Sequence, residues 1–159
     1  MNGTQCVINV KKLIQFFFNV LKMGNPQRNS SVLNARKWRL KMQGKYFTEK
    51  ELSCKCGCGK PITSRQFIDE LDGLREALGV PLVITSGMRC ETHNKLVGGK
   101  PNSAHLKGLA VDIECQASAF RFQLIETALS LGWLRVGIAK NFIHLDRDDS
   151  LVQKLIWIY

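Results

Sequence analysis

SAHLKGLAVDI, residues 103–113, decides how the rest of this chain is read. It places His105 and Asp112 seven positions apart with small residues between them, in a chain of 159 residues that has only 3 histidines. LAVDIE (109–114) has the period-2 alternation of a strand. Leu109, Val111 and Ile113 share one face, and Ala110 and Asp112 the other. Asp112 therefore points away from the apolar side. His105 precedes the strand, at the end of the polar run MRCETHNKLVGGKPNSAH (88–105), which reads as a long loop of the kind that carries function.

Working outward, YFTEKELSC (46–54) opens a domain, with Thr48 and Glu51 spaced to cap a short helical turn. CKCGCGKP (54–61) reads as a loop. TSRQFIDELDGLREALG (63–79) is the clearest helix. Thr63 and Gln66 have capping-box spacing; Phe67, Ile68, Leu71, Leu74 and Leu78 form one apolar stripe; Gly79 supplies the stop. LVIT (82–85) is a short strand. ASAFRFQLIETALSLG (117–132) is a second helix, with Phe120, Leu124, Ala128 and Leu131 at helical spacing. RVGIAKNFIHLD (135–146) reads as a hairpin turning at Lys140–Asn141. Phe142, His144 and Asp146 take one face, opposite Ile143 and Leu145. This order predicts an α+β domain: a small antiparallel sheet with flanking helices.

The formal charge of +10 is unevenly spread. Residues 1–45 hold nine Lys or Arg and no Asp or Glu, so residues 46–159 carry a net charge of about +1. The chain divides into a basic N-terminal extension, 1–45, and a nearly neutral domain, 46–159. Nucleic acid is not an expected partner, because the domain does not interleave basic and aromatic residues for that task. Lys11–Lys12 followed by LIQFFFNVLKMG has the charge order of a secretory leader. Gln15 and Asn19 interrupt it and no A-x-A site follows, so it reads as an amphipathic helix or an extension outside the domain. Trp38 could anchor on the domain or on a membrane surface.

His144 adds a third N/O donor to His105 and Asp112. Two histidines and an aspartate on separate strands fit the three protein ligands of a catalytic zinc site, and equally fit hydrogen-bonded structural residues. The motifs go further. Ser103, His105, Gly108, Ala110 and Asp112 match S-x-H-x-x-G-x-A-x-D, followed by H-x-D at His144 and Asp146. ITSGMRCETHNKLVGGKPNSAH (84–105) matches the run SGyR…HN…GG…S.H. Together they resemble the zinc D-Ala-D-Ala carboxypeptidase family, bacterial and phage branch, whose fold is shared with the hedgehog signalling domain and lysostaphin-type peptidases. The resemblance runs from about Phe47 to Trp157.

It implies zinc held by His105, Asp112 and His144, and a monomeric peptidase acting on stem or cross-bridge peptides of bacterial peptidoglycan, in the periplasm or outside the cell. The short single domain looks like a phage lysis protein or a wall-remodelling enzyme. Carboxypeptidase and endopeptidase action both remain open. Arg89 would pair with a substrate carboxylate or polarise its carbonyl. Ser103 would bind substrate or fix the loop. His93 would orient substrate, or contact the loop backbone. Many relatives carry an acid three residues before the second zinc histidine; here that position is Asn141. The remaining candidate base is Asp146, about 6–7 Å along the strand from His144; the other role open to it is to accept a hydrogen bond from a ligand histidine or from Arg89. If it is not the base, a non-catalytic zinc-containing binding module of the same fold is the alternative. Cys54, Cys56, Cys58 and Cys90 could form a second metal site, a disulfide from the loop to Cys90, or free thiols. Cys115, at a strand end, is expected to be packed.

Overall fold

A computed structural model describes residues 43–159; the leader-like run, Trp38 and nearly all of the basic extension lie outside the described residues. The elements are α1 (Glu49–Leu52), α2 (Arg65–Leu78), β1 (Ile84–Ser86), α3 (Glu91–Leu96), a 3-10 turn (Ala104–Lys107), β2 (Ala110–Glu114), α4 (Ser118–Ser130), β3 (Arg135–Ile138), β4 (Phe142–Asp146) and β5 (Leu155–Ile158). The strands form one sheet in the order β1-β2-β4-β3-β5. This is the expected α+β architecture, with one addition. β5 joins the antiparallel set by pairing parallel to β3, so the sheet is mixed.

Local signals set most boundaries. Thr48 and Glu51 form the reciprocal capping box on α1, each side chain taking the other residue's N–H. The cap of α2 lies one residue later than expected. Ser64, rather than Thr63, accepts from the Phe67 N–H, and Gly79 ends the helix at φ 69. The 88–105 loop is more structured than its polarity suggests. Cys90 caps α3 with its sulfur on the His93 N–H, and Ser103 caps the 3-10 turn.

One face of the sheet is the core. Val111, Ile113, Val136, Ile143 and Leu145 pack against Phe67, Leu71 and Leu74 of α2 and Leu124 and Ala128 of α4. Trp133 is fully buried, edge-on to Phe67 at 5.5 Å between centroids. Each large apolar side chain buried here contributes about 1.5–3 kcal/mol. Cys115 is also buried.

The other face carries a row of directly opposed residues that crosses the whole sheet. Ser86 stands opposite Asp112, Asp112 opposite His144, His144 opposite Gly137, and Gly137 opposite Trp157. A bulge at Thr85 lets Ser86 come level with Asp112, because Ile84 already pairs with Ile113. In the adjacent row, Asp146 stands between Ala110 and Arg135.

Candidate metal centre

The row fixes Asp112 and His144 on neighbouring strands, and the 3-10 turn swings His105 in beside them. Gly108 ends that turn in the left-handed region at φ 69, which explains a glycine there. Ala110 is fully buried at the start of β2. His105 Nε2 lies 3.2 Å from Asp112 Oδ1 and 3.1 Å from His144 Nδ1, and His144 Nδ1 lies 2.8 Å from Asp112 Oδ1. All three side chains are buried.

The outer atoms of the two rings decide what the inner atoms present. His105 Nδ1 donates to the Gly87 carbonyl at 2.6 Å, because a carbonyl can only accept. Its Nε2 is left with a lone pair. His144 Nε2 donates to Asp146 Oδ2 at 3.1 Å, leaving Nδ1 with a lone pair. In the neutral tautomers, two ring lone pairs and a carboxylate oxygen therefore converge. A cation relieves that repulsion, and the two N–H partners hold the rings in the tautomers a metal requires. Donors at about 2.0–2.1 Å from a tetrahedral zinc stand about 3.3 Å apart, close to the spacing found here. The residues fit a zinc ion.

Without a cation, a proton beside Asp112 relieves the same crowding. Burial alone would lower His144, but Asp112 and Asp146 on its two sides outweigh this and raise it. Burial holds His105 below the usual histidine range. Burial works against ionising Asp112 too, yet the hydrogen bonds and charges of His105 and His144 hold it well below the carboxylate range.

Arg89 Nη2 donates to the second oxygen of Asp112 at 2.5 Å, and Nε donates to Ser86 Oγ at 2.8 Å. Its Nη1 has no partner among the described residues, and the guanidinium lines the cleft. Asp146 is held on several sides. Arg135 Nε reaches both of its oxygens, at 2.9 and 3.1 Å, and the Asp148 N–H donates to Oδ1 at 3.2 Å. Arg135 in turn donates to the Val152 carbonyl and lies against the Trp157 ring.

The centre opens into a cleft of about 790 Å³. One wall is polar: Arg89, Gly98, Gly99, Lys100, Asn102 and Ser103. The opposite wall is largely apolar: Leu151, Val152, Leu155, Trp157, Ile158 and Tyr159. The apolar wall was not read from the sequence, although the alternating aromatics of LIWIY were a visible signal. Trp157 lies 5.3 Å from the His144 ring, centroid to centroid. It reaches there because Gly137 has no side chain. A Cβ on Gly137 would stand 2.7 Å from both Trp157 and Tyr159 ring atoms.

Ser103 lines the cleft while its Oγ accepts from the His105 N–H at 3.4 Å. Asn141 sits in the exposed turn between β3 and β4 and is not among the cleft residues. His93 is not among them either. Its Nδ1 lies 3.3 Å from Cys54 Sγ, in the cysteine cluster.

Comparison with curated proteins gave no match to this chain. A family model described as Peptidase M15 matches residues 45–146, which holds every residue of the His/Asp/His group and Arg89. The chain belongs to the peptidase M15 family, a zinc D-Ala-D-Ala carboxypeptidase-like family.

Proposed function

We propose that this protein is a zinc peptidase that hydrolyses peptide bonds in the stem or cross-bridge peptides of bacterial peptidoglycan. The observation that carries this reading is the meeting of three donor atoms, His105 Nε2, His144 Nδ1 and Asp112 Oδ1, beside Arg89 in one cleft. The family is a metallopeptidase family. When bound, zinc supplies Lewis-acid polarisation of the scissile carbonyl and an activated water.

The chain's own residues divide the remaining work. Gly87 O and Asp146 lock the two rings, so the donors are pre-aligned before any ligand arrives. Arg89 orients Asp112 through Nη2 and offers Nη1 to the substrate, where a guanidinium edge takes a carbonyl oxygen or a terminal carboxylate. Lys100 adds a second positive charge on the same wall. Such a wall suits stem peptides, which carry free carboxylates. The apolar wall, with Trp157 and Tyr159, shields the reacting bond from bulk water.

Asp146 acts as a positioning residue in this reading. Its oxygens already accept from His144, Arg135 and the Asp148 backbone, which leaves little capacity to take a proton from water. Asp112 and Asp146 are the only carboxylates among the described residues of the cleft. The same observation favours a second reading, a zinc-containing module that binds wall peptides without cleaving them.

One experiment separates the two. Zinc per chain is measured for the full-length wild type and for His105→Ala, and each is incubated with purified peptidoglycan. Zinc in the wild type, together with new amines or released D-alanine that the variant does not produce, supports the peptidase. Binding of peptidoglycan by loaded wild type with no product supports the module. Wild type that takes up no metal refutes both.

A further inference from the structure

The cleft uses none of the cysteines among the described residues, yet four of them meet at one point beside it. Cys54, Cys56 and Cys58 belong to the loop between α1 and α2, and Cys90 caps α3 immediately after Arg89. Cys56 Sγ lies 3.4 Å from Cys54 Sγ and 3.6 Å from Cys90 Sγ, and the four sulfurs all lie within 4.8 Å of one another. Thiolates at about 2.3 Å from a tetrahedral zinc stand about 3.8 Å apart. The separations of 3.4 and 3.6 Å lie just under that figure and none exceeds 4.8 Å, and a single centre satisfies all four sulfurs where a disulfide would use only two.

The surroundings are those of a ligand loop. Backbone N–H groups point at the sulfurs: Cys90 N–H at Cys54, His93 N–H at Cys90 and Lys60 N–H at Cys58, at 3.3, 3.3 and 3.5 Å. His93 Nδ1 adds a further contact to Cys54 at 3.3 Å. Gly57, between Cys56 and Cys58, and Gly59, just after Cys58, take left-handed φ of 86 and 71, which turns the chain sharply on both sides of Cys58. Every residue from Lys55 to Pro61 is exposed. Hydrophobic burial therefore does not explain why this loop holds one shape.

We infer that Cys54, Cys56, Cys58 and Cys90 bind a structural zinc as four thiolates, at a site separate from the His/Asp/His centre. The four thiols release their protons on binding. The metal ties the exposed loop to the start of α3, and so braces the backbone on which Arg89 stands.

The test uses full-length protein under reducing conditions, loaded with Co²⁺ as the probe. Wild type shows intense near-ultraviolet thiolate-to-cobalt absorption, and His105→Ala keeps it while losing one bound cobalt per chain. Cys56→Ser combined with Cys58→Ser removes the absorption. Should that variant fail to fold, thiol titration of zinc-loaded wild type decides: the four cysteines resist a thiol reagent until a chelator is added. Absence of the absorption in folded wild type overturns the inference, as do cysteines that react equally fast with and without metal. Cobalt bound with thiolate absorption but unaffected by His105→Ala would support this site and count against the peptidase centre, so the two readings fail separately.

Discussion

Asp146→Asn tests how the metal centre is held. The aspartate has two anionic oxygens that accept from Arg135 Nε, the His144 ring N–H and the Asp148 backbone N–H. Asparagine offers one neutral oxygen, and its NH2 group faces donors. His144 then loses its charged anchor, and its Nδ1 is no longer held toward His105 and Asp112. Loss of such a carboxylate–histidine contact weakens metal binding about 10–100-fold, or about 1.4–2.8 kcal/mol. Arg135 is also buried and loses its counter-charge, which costs the fold about 3 kcal/mol, reduced by its remaining contacts to Val152 O and Trp157. Competition with a chromogenic chelator measures the first effect and thermal unfolding of the zinc-saturated protein the second. Hydrolysis at saturating zinc should fall far less than affinity does. Unchanged zinc affinity together with a loss of hydrolysis of about 10³-fold or more would refute the positioning role and make Asp146 the proton carrier.

Two further changes probe the frame around the centre. Gly137→Ala puts a Cβ 2.7 Å from the Trp157 and Tyr159 rings, so β5 must shift; a loss of about 1–3 kcal/mol in stability and altered tryptophan fluorescence are expected, and an unperturbed spectrum would show that β5 does not pack on that row. Acid should weaken the fold partly through Asp148. Burial raises this carboxyl, but Lys107 and Ser150 overcome that and hold it below its ordinary value. A depressed folded pKa means that the stabilisation is present above the unfolded value of about 3.9 and is lost as pH falls through the folded one. Asp148→Asn should therefore flatten the fall in unfolding free energy below about pH 4, and an unchanged slope in denaturant titrations would rule that out.

What the sequence made legible was whatever depends on short spacing. The alternation in LAVDIE and FIHLD put Val111, Ile113, Ile143 and Leu145 in the core and left Asp112 and His144 facing away from it. The motif spacing brought His105 into the same group. β5 was not legible, because a short strand pairing parallel with β3 is specified by a distant edge rather than by its own pattern. α3 was hidden for a related reason: its cap is a cysteine, which carries no helix-start signal in sequence. His93 illustrates the limit for loops. Arg89 and Val97, four residues to either side, line the cleft, yet helix α3 directs its ring to Cys54.

The two histidines of the His/Asp/His group show why a strand-level reading could not assign Asp146. Alternation correctly puts His144 and Asp146 on one face, two residues apart, and that alone allows the carboxylate to face either the metal or the far side of the ring. The choice lies in the imidazole. His105, on a turn, gives its Nδ1 proton to a backbone carbonyl and faces inward with Nε2. His144, on a strand, faces inward with Nδ1, because Asp146 takes the proton of Nε2. That flip depends on Arg135, which stands directly opposite Asp146 on β3 and brings the carboxylate to the outer edge of the ring. The orientation of the His144 ring is thus set by a cross-strand pair whose members are 11 residues apart in sequence. Motif spacing within β4 has no access to it.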